Sequence, residues 1–161
     1  MFLKEKNFAF IDSQNIYRGI KSLGWDLDWN KFRIYLKEKY KVKKAYIFIG
    51  YINEKKNLYE MLEKAGFVLK FKPVLLDKSG NPKGNIDADL VLKAILKYND
   101  YDKAVIVSSD GDFYSLVDYL YSNKKLKIVL SPHVKTCSFL LRKTAKDKIV
   151  YMNNLKNKIG I

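Results

Sequence analysis

Phe8-Ala9-Phe10-Ile11-Asp12 and Ala104-Val105-Ile106-Val107-Ser108-Ser109-Asp110-Gly111-Asp112 share one pattern, an apolar run that ends at an aspartate. Runs this short and continuous suit strands buried on both faces of a parallel sheet; half-wet strands alternate instead. An aspartate at the carboxyl end of such a strand stands at the mouth of the crevice where open α/β sheets bind ligands. A third acidic segment, Lys83-Gly84-Asn85-Ile86-Asp87-Ala88-Asp89, opens a helical pattern between them. Carboxylates gathered in one crevice repel unless a cation holds them, so the three segments point to a metal.

On either side of these segments, strand and helix patterns alternate without a linker. Helices are expected over 13–23, from Asp28 as N-cap through Leu36, from Leu58 to a stop at Gly66, and over 87–98, 112–121 and 136–145. Strands are expected over 7–11, 45–49, 67–71, 104–108 and 126–130, with 149–151 as a short edge strand. The polar loop 77–84 is rich in turn-formers and stands beside an acidic segment, where a ligand-closing loop would be. Such alternation implies right-handed crossovers and helices on both faces of a mainly parallel sheet. The chain, 1–161, therefore reads as one α/β domain with strand order 3-2-1-4-5. In that order the first and fourth strands are neighbours, the order reverses between them, and Asp12 meets Asp110.

Composition limits the function classes. At 161 residues and 48% hydrophobic, the chain can bury a full core and is not disordered. A lone Cys137 excludes an internal disulfide framework and a zinc site built on several cysteines, and suits a reducing compartment. No secretory signal or membrane-length apolar run is present, so a soluble cytoplasmic protein with no membrane partner is expected. The net charge of +14 favours polyanions such as nucleic acid. Nearly all of it is lysine, with Arg18, Arg33 and Arg142 the only arginines, and a lysine-rich surface also serves solubility.

Helical phase separates the paired aspartates of the third segment. At 100° per residue Asp87 and Asp89 lie about 200° apart. Asp87 aligns with Leu90, Val91, Ala94 and Ile95, the stripe expected on the sheet, and is the better ligand. Asp89 aligns with Leu92 and Lys93, toward the flank, as a supporting or helix-dipole group. An N-cap role accounts for Asp110 or Asp112 alone, but not for the convergence of Asp12, Asp87, Asp110 and Asp112. Carboxylates suit Mg²⁺ or Mn²⁺, which keep waters and take phosphate oxygens as further ligands. Hydrolysis of a phosphodiester uses such an ion to activate water and offset charge on the leaving oxygen. Lys83 could neutralise the substrate backbone, and Asn15 could hold a water or phosphate. Tyr17 and Trp29 are the candidates for stacking unpaired bases. Arg142, with Lys135, Lys143, Lys146 and Lys148, forms a basic tail able to track a phosphate backbone. His133, without a paired carboxylate, reads as a surface residue.

Three stretches carry a family resemblance: Phe-Ile-Asp-Ser-Gln-Asn-Ile-Tyr (10–17), Lys-Gly-Asn-Ile-Asp-Ala-Asp-Leu (83–90) and Ser-Ser-Asp-Gly-Asp-Phe (108–113). They resemble the motifs of the NYN domain, a branch of the PIN-like nuclease superfamily, in its bacterial LabA-like group. Ser131-Pro132 and the segment from Ser138 to Lys148 are similar to the family's closing helix. The resemblance implies a three-layer α/β/α, PIN-like Rossmannoid fold and a metal-dependent ribonuclease acting on RNA. By motif, Asp12, Asp87 and Asp110 take the places of the metal ligands and Asp112 that of a fourth catalytic acid. Asn15 takes that of the polar residue after the first strand, and Ser109 a small polar position. Where many NYN sequences carry a further acid about two turns into the helix after the Lys-Gly motif, this chain has Lys93, and that second motif offers Asp89 instead, which leaves the metal count open.

Two functions of different class follow. One is an RNA-cleaving enzyme, with endonucleolytic cleavage expected. The other is a regulatory protein that binds RNA or a protein partner through the same surface with little turnover. A phosphatase or Toprim-like hydrolase would use Asp110-Gly111-Asp112, but Asp12-Ser13-Gln14 lacks the second acid either needs. Self-pairing into a homodimer is left open.

Overall fold

A computed structural model describes residues 4–73, 75–80, 82–83 and 86–161, the side chains of 82 and 83 excepted. Strands β1 (Asn7–Asp12), β2 (Val42–Tyr51), β3 (Phe67–Pro73), β6 (Ala104–Val107), β7 (Leu126–Ser131) and β8 (Ile149–Tyr151) form a sheet in the order β3-β2-β1-β6-β7-β8. Every pairing in it is parallel. The expected order 3-2-1-4-5 is thereby extended by 149–151 as a sixth, edge strand. Two strands outside the expected pattern, β4 (Leu75–Leu76) and β5 (Pro82–Lys83), pair antiparallel in a separate ribbon that brackets the polar loop.

Helices α1 (Ser13–Ser22), α2 (Trp29–Tyr40), α3 (Lys56–Ala65), α4 (Asp87–Leu96), α5 (Tyr114–Ser122), α6 (Phe139–Ala145) and α7 (Lys156–Ile159) cover the sheet. Their ends follow local chemistry. The Asp28 carboxylate accepts from the Lys31 N–H at the start of α2, and Gly66 ends α3 at φ 103°, a left-handed conformation that only glycine adopts without strain.

All six residues of β1 are buried, as a central strand requires. Phe8 and Phe10 enter one core layer with Tyr46, Phe48 and Ile106, against Leu90 and Ala94 of α4, Leu116, Val117 and Leu120 of α5 and Leu141 of α6. Ala9 and Ile11 alternate into the opposite layer with Ile47, Val105 and Val107, against Ile16 and Ile20 of α1, Phe32 and Leu36 of α2, Leu62 of α3 and Ile159 of α7. Burial of each large side chain contributes about 1.5–3 kcal/mol against chain entropy. Ile95, placed by phase on the buried stripe of α4, is instead exposed: at 100° per residue it lies at the edge of the stripe, about 80° from Asp87, while Ala94 beside it is fully buried.

Buried Asn7 sets the amino end of the central strand. Its Nδ2 donates to the Tyr40 carbonyl at 2.7 Å, and its Oδ1 accepts from the Lys103 N–H at 3.0 Å. The first strand is thus tied to the segments entering both its neighbours. From there β1 and β6 run in register, Phe8 beside Ala104 and Ile11 beside Val107, and end side by side. The chain leaves β1 toward β2 and leaves β6 toward β7, which opens a crevice between them.

Candidate metal centre

Asp12 is the last residue of β1 and the N-cap of α1, so one residue closes a strand and opens a helix. Its Oδ1 accepts from the Asn15 N–H at 3.2 Å, and its Oδ2 accepts from the Ser108 hydroxyl at 3.3 Å. Across the crevice, Ser108 follows β6 and is fully buried. Its Oγ also accepts from the Asp110 N–H at 3.0 Å, so one hydroxyl orients two acidic positions. Asp110 caps the short 3₁₀ turn 111–113, its Oδ1 accepting from the Asp112 N–H at 2.8 Å. Capping and convergence are therefore compatible: Asp12 and Asp110 each cap with one oxygen and still face the crevice.

Asp87 completes the group from the first turn of α4. Asp12, Asp87 and Asp110 each offer a carboxylate oxygen, and these oxygens lie within 4.8 Å of one another. They line a cavity of about 310 Å³ together with Gln14, Asn15, Arg18, Ile86 and Asp112. Asp12 is only 5% exposed. Burial pushes its carboxyl above the ordinary carboxylate range and the Asp110 charge pushes the same way, while the Asn15 N–H, the Ser108 hydroxyl and Arg18 oppose them. An all-oxygen donor set at this spacing, with one carboxylate buried at a cost, fits a hard divalent cation.

The remaining expected residues divide between the cavity and the surface. Asp112 lines the cavity, exposed at its rim and outside the close group of three. Asn15 lines it too, but its Oδ1 accepts from the Ser109 N–H at 2.8 Å and so joins the loops after β1 and β6. The Ser109 hydroxyl pairs with Ser131 Oγ at 2.8 Å, and Ser109 is buried and not among the described residues lining the cavity. Gly111 lets Ser138, ahead of α6, pack closely against the 111–113 turn, because a Cβ at 111 would overlap Ser138 Oγ. Asp89 is exposed and is not among the residues lining the cavity. Arg142 is exposed on α6, where its side chain meets Tyr151. The Lys83 side chain, Gly84 and Asn85 lie outside the described residues.

The sequence reading missed Ser108, Gln14 and Arg18. Among the described residues Arg18 is the one basic side chain lining the acidic cavity. Its signal was spacing: Gln14 and Arg18 stand four apart, and Asn15 and Arg18 three apart, on the helix that leaves Asp12. The other arginines are spent elsewhere, Arg33 donating to the carbonyls of Val42, Lys43 and Gly66 to bind α2 to the sheet.

A family model for the NYN domain matches residues 8–152, from the first core strand to the end of the last. The chain belongs to the NYN domain family. NYN domains are generally nucleases of the PIN-like kind, and the three converging aspartates all lie within the matched residues. A curated relative is the low amplitude and bright protein LabA of Synechococcus elongatus, 22% identical over 158 residues that cover 92% of this chain and 84% of that one. A crystal structure of a Vibrio parahaemolyticus protein of unknown function superposes on this NYN chain with a TM-score of 0.80 at 26% identity, covering all of both chains.

Proposed function

We propose that this NYN protein is a metal-dependent endoribonuclease, a single domain that hydrolyses RNA phosphodiester bonds with Mg²⁺ or Mn²⁺ held by Asp12, Asp87 and Asp110. The observation that carries the reading is the approach of three carboxylates to within 4.8 Å from parts of the chain far apart in sequence. Without a cation, the mutual repulsion of these carboxylates costs energy.

Asp12, Asp87 and Asp110 would hold the divalent cation, which would supply positive charge against the scissile phosphate and lower the pKa of the attacking water. The chain's own residues do the rest. Ser108 and the Asn15 N–H hold the Asp12 carboxylate in one orientation, and the Asp112 N–H holds Asp110. Asp112, exposed at the rim, accepts a proton from the attacking water. Arg18 binds a non-bridging phosphate oxygen and stabilises charge as the leaving oxygen departs, which takes its proton from solvent at the open rim. The charge of +14 holds the RNA over an acidic cavity that would otherwise repel it. A lone, buried Cys137 suits action in the reducing cytoplasm. Among the described residues no helix is long and apolar enough to cross a membrane.

The test is cleavage of linear and circular RNA in Mn²⁺. The unaltered protein is expected to cut both, as an endonuclease does. Asp12→Asn and Asp110→Asn are each expected to reduce the rate at least about 100-fold with the circular dichroism unchanged. Cleavage that persists in excess chelator, or in both variants, overturns the proposal; salt-sensitive RNA binding with no cleavage in any metal replaces it with a binding role.

A further inference from the structure

A second cleft, of about 450 Å³, opens beside the acidic cavity and shares Gln14, Arg18 and Ile86 with it. Four rings stand in its lining, exposed Tyr17, half-buried Trp29 and buried Phe48 and Tyr59, among aliphatic side chains such as Ile52 and Leu58. Tyr17 is 61% exposed, and among the described residues it packs against no other aromatic ring. Tyr59 is buried and rigid, its hydroxyl donating to the Gly50 carbonyl at 3.2 Å and accepting from the Ile52 N–H at 2.9 Å. Basic groups stand around the same cleft, with Lys55 and Lys72 joining Arg18 in its lining. Among the described residues no carboxylate lines it, in contrast to the cavity next door.

We propose that this cleft receives an unpaired nucleobase of the RNA strand whose backbone crosses the acidic cavity, with Tyr17 as the stacking platform and Arg18 and Lys55 on the flanking phosphates. The inference rests on the nuclease reading for the direction in which the strand runs on. The cleft itself argues for the base. Its volume falls in the range of ordinary ligand pockets and exceeds what a flat ring alone needs, leaving room for the sugar. Stacking on tyrosine tolerates any base, and among the described residues the Gln14 amide is the one neutral polar side chain on the shared wall able to read a base edge. A duplex cannot enter, because its bases are already stacked and paired. The enzyme would therefore cut single-stranded stretches, loops and bulges in preference to continuous helix.

The experiment is equilibrium binding in chelator, so that no strand is cut, of a single-stranded RNA carrying 2-aminopurine and of the matching duplex. The unaltered protein is expected to bind the single strand and quench its 2-aminopurine. Tyr17→Ala is expected to weaken that binding about tenfold and abolish the quench, with duplex binding unchanged within about twofold. Tyr17→Phe, which keeps the ring, is expected to restore both. Equal losses for single strand and duplex, an unchanged affinity in Tyr17→Ala, or no single-strand binding at all would overturn the base cleft. Cleavage in Mn²⁺ is scored separately. Metal-dependent cutting with no effect of Tyr17→Ala on binding removes the cleft and leaves the nuclease; ring-dependent binding without cutting removes the nuclease and leaves the cleft.

Discussion

At the residue scale, Ser108 shows how much one small side chain can organise. Its buried hydroxyl donates to Asp12 and accepts from the Asp110 backbone. Ser108→Ala leaves both groups short of a partner, and is expected to cost about 1–2 kcal/mol in a urea melt. It is also expected to weaken Mn²⁺ binding, measured by calorimetry, about 10-fold to 100-fold, as the loss of a group that orients a ligand does. Asp12 gives a prediction of opposite sign. Burial raises its pKa in the folded protein, so between the ordinary value of 3.8 and the raised one the native state keeps a proton that the unfolded chain has released. Its contribution to stability therefore falls as pH rises through that window. In chelator at pH 7, Asp12→Asn is expected to melt higher than the unaltered protein, and the gap is expected to close as the pH falls toward 3.8. Saturating Mn²⁺ is expected to raise the melting temperature of the unaltered protein and not of Asp12→Asn. A variant less stable than its parent in chelator at pH 7 would show that the hydrogen bonds to this carboxylate outweigh its burial.

At the element scale, α1 is the piece that joins the chemistry to the scaffold. Asp12 caps it, and Gln14, Asn15 and Arg18 reach the cavity from its first turns. Its depth against the sheet is set at Gly19, where a Cβ would overlap Pro132 Cβ and come within 3.3 Å of its Cγ. Gly19→Ala improves helix propensity by up to about 1 kcal/mol. Overpacking against a proline ring costs about 1–3 kcal/mol, so a net loss of stability is expected in denaturant titration. Because the overlap pushes α1 away from the segment after β7, the same variant is expected to lose RNA cleavage severalfold at temperatures where it stays folded. An alanine that stabilises the protein would show that α1 is not seated by this contact. The helices were readable because their signals are local: Asp28 as a cap, Gly66 as a stop, and Leu116, Val117 and Leu120 on one stripe. The ribbon of Leu75–Leu76 with Pro82–Lys83 was not, since two-residue strands carry no periodicity to read.

At the scale of the whole molecule, the +14 charge makes a prediction about salt. RNA affinity is expected to fall linearly with log salt, by at least about tenfold between 50 and 200 mM, as counterion release requires. A flat dependence in filter binding would reduce the lysines to a solubility role. The two proposed sites are expected to have separate signatures, the acidic cavity responding to the metal and the aromatic cleft to the presence of an unpaired base.

Much of the plan followed from the sequence alone. Apolar runs ending in aspartate specified buried parallel strands, a crevice at the reversal of strand order, and Asp87 rather than Asp89 facing it, because burial imposes a period on each segment that the residues must obey. The partners that only the tertiary structure decided are those set by register between distant segments. Ser108 reaches Asp12 because β1 and β6 run side by side, Ile11 beside Val107. Asn15 reaches Ser109 across the same crevice. Arg18 lines the cavity while Arg142 lies on α6 away from it, although the two arginines carry the same charge and are indistinguishable by composition. Periodicity records which face of an element is buried; it holds no record of which side chain on another element stands opposite, and that pairing appears only when the sheet closes.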